Sequence, residues 1–396
     1  MERSNEAKMK SAAFTLAVFT LISTLSPLPA SAQKTPPSAT PIAAEAPISQ
    51  KFLDLFAKNL DAELKGKSVG YSFYITAKNG RGAGGAGGDA RRAPDASPRK
   101  ETFDDKFNVA SVSKTITAAA ILKLMSVKKI GVDAKISSYL PKDWVRGPNV
   151  DLITFRQLLT HRAGIRCQME VTFANLRTCI AAGVKAEDMP VYKYANTNFA
   201  LFRLILPIMN GFDSASVQTD AAAAAEYAKR YITYVRSEIF SKAKISGMDC
   251  QPVTLTPALS YQYPSPILAG ESFGNMTETC GSRGWNISAK QLSTLMFNLF
   301  YTDRVVPASV ATAMKDGQLG LFLDNKTIPG ISAFEHGGYY PGKDKQGNPF
   351  NNGEMNSYVV TFSNGLNVAV IVNSQFGPGL SVGGAVKTAL KQALGL

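Results

Sequence analysis

Histidine is nearly missing: the 396 residues hold two, His161 and His336. A Ser-His-Asp hydrolase needs an imidazole beside its serine, and neither histidine sits in a nucleophile-elbow context. Cysteine is also scarce. Cys167, Cys179, Cys250 and Cys280 stand at spacings unlike any C-x-x-C zinc arrangement. Their even number suits disulfides in an exported chain, with three pairings open. On proximity alone, Cys167 with Cys179 and Cys250 with Cys280 are the expected pairs. Runs of one charge sign are absent too. The net charge is +13, yet lysines and arginines occur at most in adjacent pairs such as Arg91-Arg92 and Lys128-Lys129. Without a basic stripe interleaved with aromatics, no nucleic-acid partner is expected, and a solvated surface with some attraction to anionic envelope polymers is the simpler reading.

The one apolar run near the start, Ala12 to Leu25, is short for a bilayer span. It follows Arg3, Lys8 and Lys10 and precedes Pro29-Ala30-Ser31-Ala32, an Ala-x-Ala pattern. Residues 1–32 therefore read as a signal peptide cleaved after Ala32, with an uncleaved anchor as the competing reading. Cleavage implies a periplasmic or secreted protein with no stable membrane insertion. No cysteine lies at the cut to carry a lipid. Cleavage removes three basic and two acidic groups, so the charge falls by one to +12. Residues 33–47 are rich in Pro and Ala and read as a linker, leaving 48–396 as one folded domain. With 45% apolar and 18% charged residues, that stretch is able to bury a large core.

Within it, Leu53, Phe56, Leu60 and Leu64 recur at helical spacing between a capping Ser49 and Gly66. Val69, Tyr71, Phe73 and Ile75 alternate as a strand and end at the Asn79-Gly80 turn. Residues 357–363 and 366–373 form two β-rich runs joined by Asn364-Gly365, a hairpin signal, and Val382, Val386, Leu390 and Leu394 mark a last helix. Helices are expected between these ends at 111–128, 155–161, 199–209 and 226–242. Strands at both ends with helices between them predict an α+β fold, an antiparallel sheet flanked by the terminal helices and carrying an inserted all-helical region. The cleft should lie between sheet and insert. Gly82 to Gly87 formally satisfies G-x-G-x-x-G, but Pro94 and Pro98 stand where a phosphate-binding helix would begin, so it reads as a flexible hairpin.

The run from Phe107 to Met125, FNVASVSKTITAAAILKLM, holds the chemistry. Residues three apart share a helix face, so Ser111 meets Lys114 while Ser113 points elsewhere. A helix beginning at Ser111 would aim its free N–H groups at the same place. Ile116, Ile121, Leu122, Leu124 and Met125 make the helix apolar nearly all round, hence buried, and burial drives Lys114 towards a neutral amine that accepts a proton. Such a Ser-Lys pair would move the proton without imidazole, though most matches to the lone pattern are ordinary helix starts. An ordinary Ser-capped helix with an exposed lysine is the competing reading of so short a pattern.

Ser111 to Lys114 resembles the S-x-x-K helix of the serine β-lactamase and penicillin-binding-protein superfamily. ITFRQLLTHRAGI, Ile153 to Ile165, is similar to the L-L-T-H-T-S-G-L segment of its class C branch, with Arg162 and Ala163 departing from it. YKYANTNFALF resembles the branch's Y-x-N motif at Tyr194 and Asn196, and EHGGYYPG its H-x-G or K-T-G motif at His336 and Gly338. SGMDC at 246–250 and GSRGWNISAKQLSTL at 281–295 echo further segments, with Gln291 at a usually acidic position. The resemblance covers most of residues 68–373. It implies Ser111 as nucleophile, Lys114 as base and Tyr194 as proton relay, the last if nearby cations lower its pKa. It implies substrate contacts from Asn196, His336, Gly338 and Tyr339, with the N–H groups of Ser111 and Tyr339 as the oxyanion hole. Gly338 would let substrate approach an edge strand closely. His161 is expected to be structural, bonding backbone near the cleft.

The expected activity is an acyl-enzyme hydrolase cleaving an ester or amide, of the β-lactamase-related esterase or D,D-peptidase type. A true class C β-lactamase and a non-catalytic peptidoglycan- or peptide-binding envelope protein are the alternatives. His336 in place of lysine lacks the permanent cation that a substrate carboxylate prefers. No metal or organic cofactor is implied. Oligomeric state is open, and substrate choice rests on loops such as Cys167–Pro190 and Gly342–Gly353.

Overall fold

A computed structural model of the protein describes residues 48–167, 170–213, 215, 217, 219–264, 269–341 and 354–396. The expected signal peptide and linker, and the loop Gly342–Gly353, lie outside the described residues. The chain opens with α1 (Gln50–Leu64), whose first turn is capped by Ser49 accepting from the Phe52 N–H. Strands β1 (Gly70–Ala77), β2 (Gly82–Arg91), β3 (Arg99–Lys100) and β4 (Lys106–Asn108) follow. The helical part comprises α2 (Ser113–Lys128), α3 (Phe155–Leu159), α4 (Phe173–Ala182), α5 (Asn196–Ala200), α6 (Phe202–Met209) and α7 (Asp220–Val235). The chain returns through β5 (Asn286–Ser288), α8 (Ala289–Phe300) and α9 (Ala308–Asp316). It closes with β6 (Phe322–Ile328), β7 (Ile331–Tyr340), β8 (Met355–Phe362), β9 (Leu366–Val372) and α10 (Val382–Leu394).

Seven strands form one sheet in the order β3-β2-β1-β9-β8-β7-β6, each pair antiparallel. Side chains alternate across the pleat, and the two faces bury different partners. On one face Leu53, Phe56 and Leu60 of α1 and Val386 and Leu390 of α10 pack on Phe73, Ile75, Val368 and Val370. The other face presents Val359, Ala369 and Ile371 to the helical region. The α+β architecture expected from the sequence is therefore the one observed.

At the centre of the helical region, α2 is buried from Ser113 to Leu122 along its whole circumference. Among the described residues, Ala110–Lys128 is long and apolar enough to cross a membrane, but 78% of that window is enclosed by the fold. Both expected cysteine pairings occur, Cys167 with Cys179 and Cys250 with Cys280. They tie the second half of α4 to the chain before it, and the segment before β5 to itself.

The glycine-rich run differs from its expected state. Gly82 to Arg91 is a regular strand, not a flexible hairpin. Its partner β1 explains why. A Cβ on Gly84 would lie 2.5 Å from the Tyr74 ring, and one on Gly85 would lie 2.6 Å from the Phe73 ring. The aromatic rings of β1 lie across β2 in the space that side chains would take, so the glycines are required by packing. Gly85→Val should therefore lower stability by ~1–3 kcal/mol through overpacking, read by urea unfolding. Adding Phe73→Leu should recover part of the loss, whereas an unchanged midpoint for Gly85→Val would contradict this packing account.

Candidate active site

Ser111 stands in a single 3-10 turn, Ala110–Val112, that leads directly into α2. The turn is held from both sides. Asn108 Oδ1 accepts from the Ala110 N–H at 2.7 Å, fixing Ala110 at a positive φ of 42°. From the sheet, Ser357 Oγ donates to the Val109 carbonyl at 2.8 Å. Gly338 of β7 makes the close approach possible, because a Cβ there would fall 2.5 Å from the Val109 carbonyl oxygen and 2.2 Å from Ser357 Oγ. Gly338 thus admits the protein's own nucleophile turn, where the sequence suggested room for substrate. Ser111 caps nothing; neither the turn nor α2 has a side-chain cap. Ser113 points away and accepts from the Trp285 N–H at 3.3 Å.

Lys114 is completely buried. Its Nζ lies 2.9 Å from Ser111 Oγ, 2.8 Å from Asn196 Oδ1 and 2.9 Å from the Ser282 carbonyl oxygen. Burial, reinforced by the nearby Arg283 guanidinium, holds its pKa well below the usual lysine value. A carbonyl and an amide oxygen accept only, so two N–H groups of the amine are committed to them, and the third position on Nζ faces the Ser111 hydroxyl.

Asn196 is the first residue of α5 and does not cap it, Ala195 being the cap position. Its segment is placed by His161, which follows the capping-box helix α3. His161 accepts at Nδ1 from the Ala195 N–H (3.3 Å) and lies 3.1 Å from Asn198 Nδ2, while its carbonyl accepts from Lys193 N–H (2.9 Å). Two donors on Nδ1 put the ring proton on Nε2. The imidazole packs 4.4 Å from the Tyr194 ring. Burial, with Lys114 and His336 adding to it, pushes its pKa down to about 2.

Tyr194 joins the same cluster, its ring centroid 4.9 Å from Lys114 Nζ and its hydroxyl hydrogen-bonded to Ser111. The ring keeps 39% of its surface exposed, but the hydroxyl end is enclosed. Burial pushes its pKa up, the Ser111 hydrogen bond opposing. The sequence-based expectation was a lowered pKa from nearby cations; burial of the hydroxyl dominates and raises it instead. A phenol that keeps its proton results.

His336 lies on β7, buried, 6.4 Å from the Tyr194 ring and 5.1 Å from Phe322. Its Nδ1 is 2.7 Å from the Gly337 carbonyl oxygen, so Nδ1 carries the proton. Burial first, then Lys114, pushes its pKa down to about 3. The third motif is therefore uncharged. Tyr339 turns its side chain to the opposite face, 53% exposed. Pairing of β6 with β7 reaches only Glu335, so 336–340 form a free margin there.

Sequence motifs did not disclose the Ser282 carbonyl or Arg283. The former is backbone, silent in any side-chain pattern. Arg283 pairs with Glu170 and lies over Tyr340, which stacks on Phe273 at 4.8 Å. Ser111, Lys114, Tyr194, Asn196 and His336 are brought together; Gly338 lies beneath them and the Tyr339 side chain lies outside.

Residues 56–380 match the family model described as Beta-lactamase. Among curated proteins, penicillin-binding protein 4 of Amycolatopsis lactamdurans is 27% identical over 119 residues, 28% of this chain and 31% of that protein. The chain thus matches about a third of that relative's length. Among solved structures, the D-amino acid amidase of Ochrobactrum anthropi SV3 superposes with a TM-score of 0.65 at 18% identity, covering 87% of this chain and 98% of that one. FmtA of Staphylococcus aureus gives 0.64 at 16% identity, covering 86% and 89%.

With both imidazoles neutral through the physiological range, the pH profile of Ser111 acylation should show no inflection near 6.5. Each histidine's folded pKa lies below its unfolded value, so its stabilising contribution is present above pH 6.5 and lost as pH falls towards 3. Urea midpoints between pH 7 and 4 should fall accordingly, and less so in His161→Asn. A midpoint that rises on acidification would contradict neutral, buried rings.

Proposed function

The chain belongs to the beta-lactamase family and is a serine hydrolase, and we propose that it works as an exported acyl-enzyme hydrolase of small esters or amides. Lys114 carries this reading: a buried, neutral amine with its lone pair on a serine hydroxyl has no structural need that an apolar side chain would not meet better. In the proposed reaction Lys114 takes the Ser111 proton as Oγ attacks the substrate carbonyl. The N–H groups of Ser111 and Tyr339 receive the oxyanion. As the tetrahedral intermediate collapses, Tyr194 gives its proton to the departing oxygen or nitrogen and is reprotonated from the Lys114 ammonium. Water then attacks the acyl-enzyme by the same path in reverse. Every proton is accounted for without imidazole.

Export is supported by the two disulfides and by the basic, apolar and Ala-x-Ala order of residues 1–32. Among substrates, a neutral His336 disfavours a β-lactam whose carboxylate would sit at the third motif, so an esterase or peptidase reading is preferred. The fold shared with a D-amino acid amidase adds amino-acid amides to the candidates. A non-catalytic peptidoglycan-binding role is opposed by the intact proton path.

Exposure to a fluorophosphonate, read by mass spectrometry, should give one covalent adduct on Ser111 that is lost in Ser111→Ala. Lys114→Met and Tyr194→Phe should each slow hydrolysis by about 10²–10⁴-fold while the fold persists by circular dichroism. Persistence of activity in Lys114→Met would refute the assigned base.

A further inference from the structure

The cleft runs along β7. His336 adjoins Tyr194 at one end, Gly338 lies beneath the Ser111 turn, and Tyr340 lies under Arg283 at the other. Because the departing atom must meet the Tyr194 proton, the leaving group belongs at the His336 end and the acyl group at the Arg283 end. This orientation rests on the proposed function above.

His336 and His161, the two rings that adjoin Tyr194, also line a chamber of about 200 Å³ together with Tyr192, Leu321, Phe322, Gln318 and Arg162. A cavity of roughly 150 Å³ accepts a benzene ring, so the chamber is large enough for one ring or one small amino acid. Its walls combine four aromatic rings with leucine, Thr160, Gln318 and glycine backbone, and are neutral apart from one group. Tyr192 and Phe322 stack edge to face at 6.3 Å, and both imidazoles are uncharged. Arg162 brings the single formal charge, and no acidic side chain of the described residues lines the space. Its guanidinium lies 5.9 Å from the Tyr192 ring, is tethered through one Nη1 bond to the Pro190 carbonyl (2.8 Å), and is otherwise exposed. The inner wall also holds a bare acceptor: with its proton on Nδ1, His336 Nε2 is buried and has no hydrogen-bond partner among the described residues.

We propose that this chamber is the leaving-group site and that Arg162 is its specificity residue, selecting leaving groups that carry a carboxylate. His336 Nε2 suits the N–H or O–H of the departing group, the aromatic walls suit its body, and the guanidinium suits its anionic end. The neutral third motif then needs no cation of its own, because the charge is supplied farther out. Arg162 belongs to the THRAG segment, one of the two positions where this chain departs from the pattern it otherwise resembles.

A matched pair of substrates with one acyl group, a phenyl ester and a 3-carboxyphenyl ester, tests the assignment. For the full chain, kcat/KM should favour the carboxylated ester on the order of ten-fold at low salt, with the preference shrinking as ionic strength rises. Arg162→Gln should bring the ratio close to one, and Arg162→Lys should retain part of it. Separately, 3-hydroxybenzoate should raise the melting temperature of Ser111→Ala, and the rise should vanish in Ser111→Ala/Arg162→Gln. A ratio equal in wild type and Arg162→Gln, alongside normal fluorophosphonate labelling of Ser111, overturns the chamber assignment and leaves the hydrolase reading intact. Failure of that labelling instead removes the hydrolase reading, and with it this one.

Discussion

A lysine amine enclosed in apolar surroundings, offered two carbonyl-type oxygens and one hydroxyl, is the constraint on which the rest of the molecule depends. Each neighbour of Lys114 has its own support. Burial comes from α2, whose residues Thr115 to Leu122 leave no exposed face at the amine's level. Asn196 is held by a segment hung on His161. The Ser282 carbonyl is held by a turn that packs against α5 and the start of α6, where a Cβ on Gly281 would lie 2.8 Å from the Phe199 carbonyl oxygen and 3.2 Å from Arg203 Cβ. Ser111 is pinned between Asn108 and Ser357. Three separate pieces of chain meet at one nitrogen.

Such convergence explains the division of labour between sheet and helices. The sheet face packed on α1 and α10 serves stability, with Phe73 and Tyr71 laid over a glycine strand. The rest of the sheet supplies rigid strands for the site: β7 for His336 and Gly338, and β8 for Ser357. Neither histidine needs to titrate. One positions the Tyr194–Asn196 segment; the other offers a neutral ring between Tyr194 and Phe322. A site that runs proton transfer through amine and phenol is relieved of the pH window that an imidazole would impose.

Much of this was legible in the sequence because helical spacing and apolar content act locally. A spacing of three from Ser111 to Lys114, in a helix without a polar face, suffices to predict a shared face and a depressed amine pKa. The capping box at Thr154–Gln157 and the turn at Asn364-Gly365 were readable for the same reason. What stayed hidden depends on partners remote in sequence. Whether Gly82–Gly87 is strand or loop is decided by rings 10 or more residues away. Gly338 looks like room for substrate until the Ser111 turn is seen filling it. The direction of the Tyr194 shift required knowing how deeply its hydroxyl is buried, and the Ser282 carbonyl bears no side-chain signature.

The state of the Lys114 amine is accessible directly. In protein labelled with ¹³C at the lysine ε-carbons, with Lys114→Met identifying the signal, the Lys114 resonance should show a neutral amine at pH 7 and titrate only well to the acid side of the other lysines. A resonance that titrates with them, near 10.5, would mean a permanent ammonium beside Ser111, and the proton path described above could not operate.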